Sequence, residues 1–435
     1  MKLKKYKYYI AYGAGKNYEH YRKYCSKAGF NIDYIADIKW KDSVGCDQYY
    51  GDVNKITFDE INELENALII VFILNEKVYS EVRNVFSTDV CHILEIYTEY
   101  MMNMGICIAA ELDLLEEEYS DKYYFIFRGH LGDTVFLLPY ISLFKEVHTK
   151  PDSFLPDGRN IKHRESIQIH VLTTKSNKGV CRLCKYIDEI HTYTEEQLEA
   201  LSFYVKSNPH FRLKNIFCDA LCDSLINEPQ IIGIHECFLI YNLPYNDKSK
   251  GFLSKYRACV NDESIRTARE IIDQNSSDST KKKVIICPYA KSTAMLDEKF
   301  WGSFVDKIKY KADIYTNVVG SEKPITGTQG LTVDVDIMCA LSTLGVTVIG
   351  VQSGIMDVLT QCAGHGKLLV IRVARNHDDL KILEMWYGKI FDESDETIQE
   401  MNNVSYMSIN NTGELQYKKR EELIIIVDWL SDIDN

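Results

Sequence analysis

The stretch YYFIFRGHLGDTVFLLPYISLFKE, residues 123–146, decides how the chain folds. Residues 123–127 form a short aromatic and apolar run of the kind that makes a buried strand. Arg128-Gly129-His130-Leu131-Gly132-Asp133 is a polar turn, where two glycines let the backbone reverse sharply. Val135, Leu138, Ile141 and Phe144 then recur at helical spacing, and Pro139 is expected to kink that helix. A strand, a glycine turn and a helix make the repeating unit of a parallel α/β sheet, with the helix aiming its first amides back into the turn. Asp133 is left at the mouth of that unit. An aspartate there commonly caps its helix, and it can equally act as a catalytic base.

The same rhythm runs on both sides. Over residues 6–118, strands are expected at 8–12, 32–36, 49–50, 67–74 and 92–96, with helices to about residue 27, at 58–64 and at 77–86. Gly13-Ala14-Gly15-Lys16 follows the first strand and Asp37 closes the second, so Gly13, Gly15, Lys16 and Asp37 are candidates for a nucleotide site. Tyr18 stands where a dinucleotide fingerprint has its third glycine, which counts against an NAD-linked enzyme. The segment YGAGKNYEHYRKYCSKAGFNIDYIAD resembles the Rossmann-like modules attached to many bacterial sugar-modifying enzymes, in which ligands vary or are absent. Scaffold turn and nucleotide site both stay open.

Residues 97–122 read as an acidic helical connection. After the opening motif come strands at 167–173, 215–217 and 230–235 and a helix at 195–205. A polar bridge over 247–282 ends in DQNSSDSTKK, the clearest boundary in the chain. A third unit follows, with strands at 283–287, 314–319, 346–351 and 368–373 and helices at 301–308, 335–342, 355–362 and 421–430. The expected domains are residues 1–118, 119–280 and 281–435, which suits 435 residues, a chain too long for one ordinary core.

Bulk properties narrow the function. A net charge of -13 disfavours an extended nucleic-acid surface. The basic start runs straight into a short apolar run, so no export signal is expected, and the apolar run at 67–74 is too short to span a bilayer. Thirteen cysteines then read as reduced thiols in a cytoplasm. Cys181, Cys184, Cys218 and Cys222 allow a zinc quartet, but scattered buried thiols explain them as well. Asp334-Val335-Asp336 mimics a metal-binding DxD, and an acid-rich helix start explains it better.

Three motifs in order carry a resemblance. RGHLGDTVFLLPYISLFK, CPYAKSTAMLDEKFW and TVIGVQSGIMDVL resemble, across roughly residues 122–375, the acceptor-side and donor-side motifs of heptosyltransferase-like glycosyltransferases. The resemblance implies an α/β fold of GT-B type, a pair of Rossmann-like domains preceded here by a third. It implies an inverting, metal-independent transfer, with no cofactor, from a nucleotide-sugar to a glycan or glycolipid acceptor in bacterial surface polysaccharide assembly. Asp133 would be the base, and Arg128, His130 and Gly132 would meet the acceptor. Lys291, Ser292, Lys299, Glu322, Gln352, Ser353, Gly354 and Asp357 would meet the donor. The family has an acid-hydroxyl-glycine triplet and a following histidine where this chain has Gln352 and Asp357, so the donor sugar stays open, as does a nucleotide-binding scaffold without catalysis. A cytoplasmic location is expected, with contact at the inner face of the membrane left open.

Overall fold

A computed structural model describes residues 6–114, 122–128, 131–149, 167–208, 216–218, 258–274, 281–290, 295–362, 366–374 and 404–410. The chain is α/β and divides into two compact units, residues 1–117 with 199–211, and residues 118–198 with 212–435.

In the first unit the strands β1 (Tyr8–Tyr12), β2 (Tyr34–Ala36), β3 (Tyr49–Tyr50), β4 (Val53–Lys55), β5 (Ala67–Val71) and β6 (Asp89–His92) form one sheet in the order β3-β4-β2-β1-β5-β6. All pairs are parallel except β3 with β4. Alternate residues of each strand face opposite layers, as the pleat requires. Ala11, Leu68 and Ile70 pack with Tyr18 and Cys25 of α1 (Lys16–Lys27) and Ile96 of α4 (Ile93–Glu111). Ile10, Tyr12, Ile69 and Val71 pack with Ile61 of α2 (Phe58–Glu63) and Val82 of α3 (Glu76–Val85).

The sequence places a strand over residues 92–96, but β6 ends at His92 and α4 starts at Ile93. A capping box decides it. The His92 ring Nδ1 accepts from the Leu94 amide at 3.2 Å, and Glu95 accepts from the His92 amide at 3.1 Å. The later half of α7 (Glu195–Ser207) belongs to this unit, where Tyr97 donates to Glu199 at 2.9 Å. Gly105 of α4 is a glycine because a Cβ there would lie 2.5 Å from the Ala200 carbonyl oxygen.

The second unit holds two sheets, both wholly parallel. The first has β7 (Lys122–Ile126), β8 (Gln168–Thr174), β9 (Glu189–Tyr193) and β10 (Ile216–Cys218) in the order β10-β7-β8-β9. The second has β11 (Lys282–Cys287), β12 (Ala312–Asn317), β13 (Gln329–Leu331), β14 (Thr347–Val351), β15 (Leu368–Ala374) and β16 (Val404–Asn410) in the order β13-β12-β11-β14-β15-β16. Counted along the chain this is 3-2-1-4-5-6, the doubly wound order of dinucleotide-binding sheets.

Helices cover these sheets as the side-chain alternation dictates. Phe125, Ile169 and Val171 bury against Val135, Leu138, Ile141 and Phe144 of α5 (Leu131–Thr149) and Val180 of α6 (Lys178–Arg182). Ile285, Val348 and Val370 face Ala268 of α8 (Asp262–Gln274), Met338 of α10 (Val335–Thr343) and Met356 of α11 (Gly354–Thr360). On the opposite face, Val284, Ile286, Ile349 and Ile371 take Trp301 and Phe304 of α9 (Glu298–Ile308), each side chain contributing about 1.5–3 kcal/mol by burial. Pro139 sits inside α5, four residues after Val135. The elements β4, β9, β13, β16 and α6 are not legible in the sequence. The strand expected over residues 230–235 and the helix over 421–430 lie outside the described residues.

Candidate functional site

In open parallel sheets, ligands bind outside the carboxyl ends of the strands, where the strand order reverses. The reversal in the six-stranded sheet of the second unit falls between β11 and β14. That in its four-stranded sheet falls between β7 and β10. The loops leaving β7, β11 and β14 are the three motif segments.

The C-terminal sheet assembles a polar rim at that edge. After β11, the Tyr289 hydroxyl donates to the Lys323 carbonyl and so holds the turn after β12 beside the β11 loop. Within that turn Glu322 accepts from the Val319 amide at 2.8 Å. Burial, and then the nearby Glu322 carboxylate, pushes the Cys287 thiol up to about 12 and raises the Tyr289 phenol in the same way. After β14, Gln352 and Ser353 are buried and Gly354 opens α11. Ser353 is the N-cap residue of α11, yet its hydroxyl makes no capping bond, and its oxygen is fully enclosed with no hydrogen-bond partner among the described residues. Asn317, the last residue of β12, likewise has a buried side-chain oxygen with no partner among them. Each such atom costs about 1–3 kcal/mol when left unsatisfied, so two at one sheet edge mark a place built for polar company.

Opposite this rim lies the start of α5. A Cβ built on Gly354 would lie 3.0 Å from the Gly132 amide nitrogen and 3.1 Å from Leu131 Cβ. A Cβ on Gly132 would lie 2.8 Å from Asp357 Oδ2. Two helix starts therefore meet through two glycines, with the Asp357 carboxylate, only 5% exposed, held between them. Gln352 Nε2 donates to Asp357 Oδ1 in a short bond. Asp133 is the third residue of α5, directly after Gly132, and its side chain lies outside the described part. Arg128 is half-buried just past the end of β7.

The arrangement occurs twice. A Cβ on Gly179 of α6 would lie 2.8 Å from Asp336 Oδ1 and 3.3 Å from the Val335 amide nitrogen at the start of α10. Asp336 is 1% exposed. Its Oδ2 accepts from Ser264 of α8 at 2.8 Å and from Arg182 at 3.5 Å, while Oδ1 has no partner among the described residues. Facing first-turn amides carry like partial charge, and a carboxylate placed between them offsets it. Asp334 caps nothing with its side chain and is exposed, so the Asp334-Asp336 pair divides into one surface acid and one buried tie.

The glycine turn of the first unit is tied to Asp37, with open space at Gly15. Gly13 has φ +101°, and a Cβ there would lie 2.7 Å from Ile73 Cγ1. Asp37 uses Oδ2 to accept from the Ala14 amide at 2.9 Å and Oδ1 to accept from the Lys39 amide at 3.1 Å. Its carboxylate thus closes the loop on itself. Gly15 is the N-cap of α1 and Lys16 its first residue.

Other candidates fall in different places. Lys299 is exposed as the second residue of α9, whose cap is Asp297, and Trp301 is core. Cys181 and Cys184 are buried in the hydrophobic core beneath α5, where burial raises the Cys181 thiol, and Cys184 lies 3.5 Å from the Ser142 hydroxyl. His130, Lys291, Ser292 and Cys222 lie outside the described residues, as does the side chain of Cys218. Asn317 is the rim residue that the sequence reading missed. Its signal is a polar residue closing the run DIYTN, at a strand's carboxyl end.

No known family profile matches the sequence, and no curated protein sequence is similar to it. Among solved structures, the chain is similar to E. coli ADP-heptose LPS heptosyltransferase II, at 9% identity and TM-score 0.46, over 72% of this chain and 100% of that one. It is similar to a glycosyl transferase family 9 protein from Veillonella parvula, at 11% identity and TM-score 0.41, over 71% and 99%. It is also similar to E. coli heptosyltransferase WaaC with ADP, at 9% identity and TM-score 0.41, over 70% and 98%.

Proposed function

We propose that the chain is an inverting, metal-independent glycosyltransferase of GT-B type. It moves a sugar from a nucleotide-diphosphate sugar to a hydroxyl of a glycan or glycolipid. The observation that carries this reading is the meeting of Gly132 and Gly354, which puts the first turn of α5 against the start of α11, where the Ser353 hydroxyl has no partner among the described residues, at the switch point of the C-terminal sheet. The two motif segments that resemble acceptor and donor sides of one enzyme family thereby face each other.

The chemistry follows from that facing. The acceptor hydroxyl attacks the anomeric carbon and its proton passes to Asp133. The bond between that carbon and the phosphate oxygen breaks, and the electron pair leaves with the nucleoside diphosphate. Direct displacement from the opposite side inverts the anomeric centre. The leaving charge needs donors, and these are the Ser353 hydroxyl and the amides of Ser353 and Gly354, with Lys291, Ser292 and Lys299 as the cationic and hydroxyl complement. In this reading Glu322, on the turn tied to the β11 loop, takes the ribose hydroxyls.

Asp133→Ala tests the reading against a panel of nucleotide-sugars. Turnover should fall about 10²–10⁴-fold while nucleoside diphosphate binding, read by calorimetry, is kept. Unchanged turnover removes Asp133 from the base role. A second reading, a nucleotide-binding scaffold without catalysis, is favoured by Asp357, whose buried carboxylate stands where a diphosphate would bring its own negative charge. Nucleotide binding with no turnover on any donor would select it.

A further inference from the structure

Among the described residues, one cluster of metal-ligating side chains stands apart from the crevice. His170 lies on β8, and Glu189 and His191 lie on β9, an edge strand of its sheet. His170 and Glu189 are register partners, so the period-2 alternation puts all three side chains on one face. It is the face opposite α5 and α6, since Ile169, Val171 and Ile190 turn to that core.

The donor atoms converge. His170 Nδ1 is 3.1 Å from His191 Nε2 and 3.3 Å from Glu189 Oε2, and His191 Nε2 is 3.8 Å from the same oxygen. A tetrahedral ion with bonds of about 2.1 Å separates its ligands by about 3.4 Å, so one point about 2.1 Å from all three atoms exists. Protons satisfy this triangle poorly. A proton on either ring nitrogen bridges one edge and leaves lone pairs facing on another. The His170 imidazole is packed within 4.9 Å of the Tyr124 ring and is 4% exposed, whereas Glu189 is largely exposed. The face of the triangle beside Glu189 is therefore open to solvent.

We propose that His170, Glu189 and His191 bind a divalent ion of the zinc class, with a fourth position left to water. The ligand set suits zinc or cobalt and not magnesium or calcium, which take oxygen shells. His170 lies four residues before the carboxyl end of β8, roughly 13 Å along the strand from the crevice, so the ion pins the edge strand and takes no part in the transfer. Nothing in this assignment rests on the proposed glycosyl transfer.

The test uses tag-free full-length protein stripped with chelator and titrated with Zn²⁺ by calorimetry and with Co²⁺ by absorption. The expected result is one ion per chain with micromolar or tighter affinity. Cobalt d–d bands should indicate four or five coordination, without the near-ultraviolet charge-transfer band of thiolate ligands. His191→Ala and Glu189→Gln should each weaken binding at least tenfold, and the exposed Glu189 site keeps the test valid if the histidine variant misfolds. Zinc should also raise the melting temperature of the wild type and not of Glu189→Gln. Absence of stoichiometric binding, a thiolate band, or affinity unchanged in both variants overturns the assignment.

Discussion

Replacing Asp357 by asparagine removes one buried negative charge from the candidate donor rim while keeping the side chain's shape. Residues 354 and 357 stand one helical turn apart on α11, about 5–6 Å between side-chain origins. A phosphate oxygen drawn to the Ser353 and Gly354 amides would sit at about that distance from the carboxylate. With an effective dielectric of about 20, one unit charge at about 6 Å repels another by about 3 kcal/mol. The new amide weakens the contact with Gln352, a loss of about 1 kcal/mol that falls on free and bound protein alike. Asp357→Asn should therefore bind nucleoside diphosphates roughly ten- to a hundredfold more tightly than the wild type, since about 1.4 kcal/mol is tenfold. Calorimetry with ADP, GDP, UDP and CDP reads this directly, and raised salt should shrink the difference. A variant that folds normally and binds every diphosphate no better, or worse, would refute the placement of donor phosphates at the start of α11.

Three further outcomes follow from named contacts. Gly354→Ala sets a methyl 3.0 Å from the Gly132 amide, where backbone must yield, so stability should fall by about 1–3 kcal/mol in chemical denaturation and transfer activity should drop with it. Ser264→Ala takes the best hydrogen bond from the buried Asp336 carboxylate and should cost about 1–3 kcal/mol in the same measurement, with nucleotide binding unchanged. Burial pushes the Cys25, Cys91 and Cys287 thiols up to about 12, so at pH 8 a thiol reagent should label exposed Cys46, Cys107 and Cys259 and spare those three. Because their folded values lie above the unfolded value of about 8.5, their contribution to stability is whole at pH 7 and is lost as pH rises from about 8.5 towards 12.

The layers of the fold were legible because each strand run carries its own punctuation. Residues 8–12, 123–127 and 283–287 are apolar runs that end in glycine or proline turns, and each became the first strand of a sheet. The shortest strands, β4 and β13, escaped because three residues cannot show a period. β13 is Gln329-Gly330-Leu331, and only its pairing with β12 makes it a strand. His92 misled for a different reason. A histidine after Asp89-Val90-Cys91 continues a strand by composition, and only its ring nitrogen on the Leu94 amide turns it into a cap. At the site, Gly132, Ser353 and Gly354 were named from the glycine turns, whereas the burial of Asp357 between two helix starts depends on contacts more than two hundred residues apart in the chain.

The three sheets share one construction, and what differs is how the loops at their strands' carboxyl ends are satisfied. In the first unit, Asp37 fills the Gly13-Ala14-Gly15 turn with its own carboxylate, and Ile73 leaves no room above Gly13. That loop has used its Gly13 and Ala14 amides internally. In the second unit Ser353, after β14, and Asn317, at the end of β12, each keep a buried side-chain oxygen with no partner among the described residues, and a glycine from each half brings the helix starts together. A buried hydroxyl without a partner can gain one from a bound group. The more conspicuous glycine pair therefore lies on the turn tied to Asp37, and the single glycines at 132 and 354 lie where the proposed donor site would be. A nucleoside diphosphate that protects Ser353 and Gly354 amides from hydrogen exchange, and leaves those of residues 13–16 unchanged, is the result this difference requires. Protection at residues 13–16 alone would reverse the assignment.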